Sequence, residues 1–257
     1  MLALAMTVSM ASAWEKRPDE GVFLLAKKHL SPEAKSMVEK YLGESYADDV
    51  FYLRNLEAKK QATHSKELRF LHLSADFKSA GVEGEDALKG IEQSLAVIAA
   101  HKSYSKGEVV KAFRAFINLM CDMHTIGHIR IESIPYSMQD FKIICYNGDT
   151  PKYNKRKHPV TWSRFWSIFD AWHNGMTGAM WANDYEYAHG DKAKQYAAGS
   201  LYDWAADCGK TASEIYKFVN PEYEMPRIQR NDLKDLHFEM MAKLGYRLSV
   251  MLEELAK

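Results

Sequence analysis

Three cysteines in 257 residues are too few, and too odd in number, to form a disulfide framework. Cys121, Cys145 and Cys208 leave room for one bridge at most, and the sequence does not choose the pair. They also lack the paired spacing of a structural zinc site. An excess of charge is missing too, since 34 Lys and Arg balance 34 Asp and Glu. No global field therefore draws in a nucleic acid, and an anionic ligand must be met by a local feature such as a metal. The chain has no repeat at solenoid periods and no low-complexity tract. No apolar run is long enough to span a bilayer, so no membrane span is expected. What is left is a chain of ordinary hydrophobic content, long enough to bury a core without staples.

Residues 1–13 differ from the rest. They are uncharged, rich in Ala, Leu, Met and Val, and end Ala11-Ser12-Ala13 before Trp14. That is the apolar stretch and small-x-small cleavage site of a signal peptide, here without its basic leader. The expectation is an exported protein, periplasmic or secreted, whose mature part runs over residues 14–257.

The mature part reads as helices. Residues 20–43 carry apolar positions at helical spacing, restarted at Ser31-Pro32-Glu33 by a cap, a first-turn proline and an acid, and closed by Gly43. A helix is expected over residues 85–101. Ser105-Lys-Gly-Glu108 is a capping box that opens another, whose buried face is Val109, Ala112, Phe113, Phe116, Ile117, Met120 and Cys121. Residues 141–146 form the one credible strand, with Asn147-Gly148 as a hairpin turn. An aromatic helix over 161–173 and helices over 191–198, 201–219 and 232–257 complete the chain. The expected class is all-α, a single multi-helix domain with a minor β-hairpin.

The chemistry gathers at the end of the capped helix, in Asn118-Leu-Met-Cys-Asp122-Met-His124-Thr-Ile-Gly-His128. Asn118 and Asp122 are four apart and share a face. A core helix rarely holds an acid and two histidines unless something charged lies between them. Asp48, His72 and Asp170 add further Asp and His groups on or beside apolar helices, which is how metal sites in bundles are built. Oxygen with imidazole suits zinc better than magnesium. Each residue also has a plain structural use. Asp48 can cap a helix, His72 and His128 can be satisfied core histidines, and Asp170 can face solvent. The basic run from Lys152 to Lys157 can be a solvated loop, and the aromatic stripe from Trp162 to Trp172 can be core.

Trp14 after a cleavage site, Ser31-Pro-Glu-Ala34, Ala47-Asp48, Leu71-His72-Leu73, Asp122-Met-His124-Thr-Ile-Gly-His128 and Ser167-Ile-Phe-Asp170 together resemble the S1/P1 nuclease family. These are zinc-dependent phosphodiesterases related in fold to bacterial zinc phospholipases C. The resemblance covers most of the chain from Trp14 to Val219. It implies a phospholipase C/P1 nuclease-type helical fold with up to three zinc ions. By position, the first would use Asp48, His72, Asn118 and Asp122. The second would use His128, position 166 and Asp170. The third would use the amine and carbonyl of Trp14, with Asp19 and Asp122.

The family has histidine where this chain has Asp19, Asn118 and Trp166, so one ligand is changed at each metal. Asp19 can still ligate, Asn118 offers a neutral carbonyl, and Trp166 offers nothing. The imidazole that the resemblance expects at 166 could be supplied instead by His124 or His173. The family's Gly-Gly-Asn is absent, its base-stacking Phe is Leu73, and Arg54 lies later than its arginine. The implied activity is hydrolysis of phosphodiester bonds in single-stranded DNA or RNA by a monomer, with Asp48 and Asp122 at the catalytic centre and fewer than three zinc ions. Two alternatives accompany it: a catalytically degenerate member acting as a binding or scaffold protein, and a phospholipase C-like esterase.

Overall fold

The computed structural model describes residues 16–43, 70–80, 86–135, 141–146, 157–162, 165–166 and 176–257. Helices take up 71% of these residues, with two small two-stranded sheets, so the class is mostly helical as expected. Trp14, Asp48, Arg54, Asp170, His173 and the cleavage site lie outside the described residues.

Two helices open the chain, α1 (Lys16–Lys28) and α2 (Pro32–Leu42). The side chain of Ser31 accepts the Ala34 N–H, and Gly43 ends α2 at a positive φ of 85°. That conformation is one glycine adopts without a Cβ penalty. Asp86 then caps α3 (Ala87–Ala99), and Ser105 and Glu108 form the capping box of α4 (Lys106–Met123), as the sequence predicts. The helices α3 and α4 pack against each other. After α4 come α5 (Gly178–His189), α6 (Ala193–Ala197), α7 (Leu201–Tyr216) and α8 (Arg227–Leu255).

The last helix organises the rest. Its residues from Met240 to Ser249 are all buried, and it packs on α1, α2, α3, α4, α5 and α6. A helix buried on every side is a core helix rather than a surface one. Each large apolar side chain it hides contributes about 1.5–3 kcal/mol.

The strands differ from expectation. A three-residue strand β1 (Leu71–Leu73) pairs in parallel with β2 (Ile129–Ile131), placing His72 opposite Arg130. Strands this short carry no readable alternation. The expected strand is present as β3 (Lys142–Tyr146), antiparallel to β4 (Lys157–Thr161). Tyr146 pairs with Lys157, so residues 147–156 separate the two strands, and the Asn147-Gly148 turn lies outside the described residues. The strand runs on to Thr161, where the sequence suggested that a helix begins; Trp162, Phe165 and Trp166 are helical. The sequence reading lacked α5 altogether. It buries only Gly178, Trp181, Ala182 and Tyr185, so its apolar stripe is thin. No helix among the described residues is long and apolar enough to cross a membrane.

Candidate metal centre

Every residue from Ala115 to Ile131 is buried, so the polar groups at the end of α4 sit in the interior. The helix stops at His124, and a single 3-10 turn (Ile126–His128) leads directly into β2. This turn is held at several points. The His128 N–H donates to the Thr125 carbonyl at 2.8 Å, and Arg130 Nη1 donates to the Gly127 carbonyl at 2.8 Å. The Tyr216 hydroxyl from α7 lies 3.4 Å from the Ile126 carbonyl and 3.3 Å from that of Ile129.

Folding back in this way brings His128 Nδ1 to 3.0 Å from Asp122 Oδ1, with both side chains about 5% exposed. Tetrahedral zinc with bonds of about 2.0–2.1 Å sets neighbouring ligand atoms about 3.3 Å apart. The Asp122–His128 spacing is therefore of the size that two groups sharing one cation need. The resemblance would instead give Asp122 and His128 to different metals, whereas here they touch.

His72 completes one wall. It stands on β1, whose neighbour β2 starts immediately after His128, and the Phe70 ring lies 6.4 Å from His72 and 5.7 Å from His128, centre to centre. The buried Nε2 of His72 has no hydrogen-bond partner among the described residues. Burial lowers the pKa of this imidazole, Asp86 acting against the shift and Arg130 adding to it. A neutral ring with an open nitrogen is the form in which histidine binds a metal. Asn118 is buried one turn before Asp122, and Asp19 is buried in the first turn of α1. Among the described residues no three His, Cys, Asp or Glu side chains form a ready cage. Three of the expected ligands, Trp14, Asp48 and Asp170, are outside that set.

The structure removes one candidate. His124 was a possible replacement for the imidazole missing at 166, but both its nitrogens are engaged. Nδ1 lies 2.8 Å from the Met120 carbonyl, which can only accept, so Nδ1 carries the proton. Nε2 then accepts from Arg247 Nη1 at 2.9 Å. Burial first, and Arg247 second, push the His124 pKa down to about 3. Trp166 itself is buried edge-on against Trp162 and Phe165, with His237 of α8 at 5.9 Å.

Sequence reasoning missed four residues around this centre. Asp86, buried, caps α3 through the Leu88 N–H at 2.8 Å, and its pKa is raised, by burial above all. Arg130 is buried with its guanidinium 4.1 Å from the Phe70 ring centre, and Phe70 touches both imidazoles. The fourth is Arg247, on α8. Arg247 stands within an apolar run, the signal that marks Asp122, whereas Arg130 is two residues from both His128 and Glu132 and carries no such mark. Neither a family model nor a curated protein matches the chain.

Proposed function

We propose that the chain is a zinc-dependent phosphodiesterase of the S1/P1 nuclease type, with a phospholipase C/P1-like helical fold and fewer metal ions than that family carries. The observation that carries the reading is the buried contact of Asp122 with His128, beside a His72 whose Nε2 is open. When bound, zinc would supply Lewis-acid activation of a water and of the phosphate. Asp122 would bring the negative charge that holds the cation, and His72 and His128 would bring neutral imidazole nitrogens. Asn118 would contribute a carbonyl oxygen only. Burial of the whole segment keeps competing water away from these groups and strengthens their field. Asp19, Trp14, Asp48 and Asp170 remain the proposed further ligands, and single-stranded nucleic acid or nucleotides the proposed substrates.

The test is elemental analysis and hydrolysis assays on both the full chain and the form processed to Trp14. At least one zinc per chain is expected, lost in Asp122→Ala along with cleavage of single-stranded DNA or RNA. Cleavage of a choline phosphodiester in place of nucleic acid would move the reading to a phospholipase C-like esterase. Zinc bound without hydrolysis of any of these would end the enzyme reading.

A second reading, a non-catalytic binding or scaffold protein, is favoured by Trp166. An aromatic cluster occupies the position where the resemblance expects an imidazole. It predicts no zinc and no effect of a chelator on melting.

A further inference from the structure

Asp122 and His128 belong to one continuous segment, and the segment is gripped from 123 residues away in sequence. Arg247 projects from α8 to the C-terminal end of α4. Nε donates to the Tyr196 carbonyl at 3.1 Å, and Nη2 is paired with Asp207 Oδ2 at 2.5 Å. Nη1 reaches both His124 Nε2 and the Cys208 sulfur, the latter at 3.7 Å, and the Trp204 ring centre lies 5.7 Å from the guanidinium. Lys243, one turn earlier, shares Asp207 at 3.2 Å. The guanidinium is thus fixed by α7 and by the end of α6 before it meets α4.

We propose that Arg247 is a positioning residue for the Asp122–His128 pair, acting through His124; the inference rests on the reading of that pair as a metal centre. A planar guanidinium with several anchors presents Nη1 in one direction only. Donation to Nε2 selects the His124 tautomer with hydrogen on Nδ1, and that hydrogen bonds the Met120 carbonyl. The imidazole is then a second donor on a carbonyl that the His124 backbone N–H also reaches at 3.3 Å, and it reinforces the last turn of α4. From there the bonds are continuous. Thr125 Oγ1 donates to the Cys121 carbonyl at 3.0 Å and the Thr125 N–H to the Asp122 carbonyl at 3.0 Å. The His128 N–H donates back to Thr125, which sets His128 over Asp122. An apolar side chain at 247 would pack the same space without desolvating a cation, a change that is often neutral or stabilising. What an arginine adds at this position is direction, which apolar packing lacks.

The experiment uses the full chain, first without metal and then titrated with zinc. Arg247→Met and His124→Leu remove the contact from opposite ends, and His124→Gln keeps an acceptor and a donor on one side chain. Amide exchange at Thr125–His128 is expected to rise at least tenfold relative to the amides of α1 in Arg247→Met and His124→Leu. The His128 ring resonances should shift in both, and zinc should bind at least tenfold more weakly. His124→Gln should return all three toward wild type. If Arg247→Met fails to fold, the His124 pair gives the same comparison with Arg247 still held by Asp207. Folded variants with wild-type His128 resonances and exchange would overturn the proposal, as would His124→Gln behaving like His124→Leu. Wild type that binds no zinc would refute the metal reading, and the exchange data would still decide the role of Arg247.

Discussion

Replacing Gly21 with alanine should destabilise the protein, although helix propensity alone says the reverse. Gly21 lies inside α1, where alanine is favoured over glycine by about 0.8–1 kcal/mol. The added Cβ, however, would meet Trp181 Cβ at 2.4 Å, the Gly178 carbonyl at 3.2 Å and the Ala182 nitrogen at 3.3 Å. Carbon atoms rest about 3.5–4.0 Å apart, so α1 and α5 would have to separate by at least about 1 Å. The obstacle is a Cβ and two backbone atoms, none of which can swing aside. Overpacking of this kind costs about 1–3 kcal/mol, and a shift of α5 also disturbs the packing of Trp181 on Phe238 of α8. After the propensity gain, a net loss of up to about 2 kcal/mol is expected, or up to about 8 °C in melting temperature for a chain this size. Gly107 supplies the control. It is the second residue of α4, and a Cβ there meets nothing within 4 Å. Gly107→Ala should leave stability unchanged or raise it by up to about 1 kcal/mol. Urea denaturation of the two variants measures both. Equal effects, or a more stable Gly21→Ala, would refute the close crossing of α1 with α5.

The same unfolding assay, run against pH, tests His124. Its folded pKa is depressed to about 3 from 6.5, so between these values the unfolded chain binds a proton that the folded chain does not. The stability His124 contributes is therefore complete above pH 6.5 and is lost as pH falls toward 3, by up to about 1.4 kcal/mol per pH unit. His124→Gln should flatten that acid limb, and an unchanged slope would refute the assignment of a neutral ring. For the cysteines, burial raises the thiols of Cys145 and Cys208 to about 11. With Cys121 also buried, a thiol reagent at pH 8 should label all three only as the chain unfolds in urea. Labelling of any one in native buffer at the rate of an exposed cysteine would contradict this.

Local signals with a short physical range were readable in the sequence. Ser31-Pro32, Gly43 and the Ser105–Glu108 box each act within four residues, and each ends or starts a helix where expected. The apolar face of α4 was legible because seven positions repeat along one stripe. The pieces that escaped depend on partners far away in sequence. β1 and β2 are three residues each and exist because residues 71–73 and 129–131 lie side by side. The helix α5 follows from Gly178 and Trp181 fitting against Gly21. Within the candidate centre, the acid and histidines of α4 were legible because polar groups in an apolar helix are costly. Arg247 sends the same signal, but its meaning depends on His124 and Asp207, as that of Arg130 depends on Phe70, and no local pattern joins these residues.

Among the departures from the family that the chain resembles, Asn118 and Trp166 differ in kind. Asn118 keeps the polarity of its site: it is buried on the face of Asp122 and can still turn an oxygen toward a cation. Trp166 does not. A buried tryptophan hides about 150–250 Å², worth roughly 4–6 kcal/mol at 25 cal/mol per Å². Its ring meets Trp162 and Phe165 edge-on, and Trp162 in turn stacks on Phe141 and donates to the Tyr216 hydroxyl at 3.1 Å. That hydroxyl is the one that approaches the Ile126 and Ile129 carbonyls. On the proposed reading, the aromatic cluster therefore takes over the organising work a second metal would do on that flank, and it braces the turn that carries His128. The opposite flank, where β1 meets the end of α4, keeps its acid and its imidazoles. A chain that had abandoned metal altogether would gain by exchanging His72, Asp122 and His128 for apolar side chains, since a buried acid and two buried rings cost more than the packing they provide. On the proposed reading, their presence beside Trp166 is the arrangement that a reduced metal centre would have.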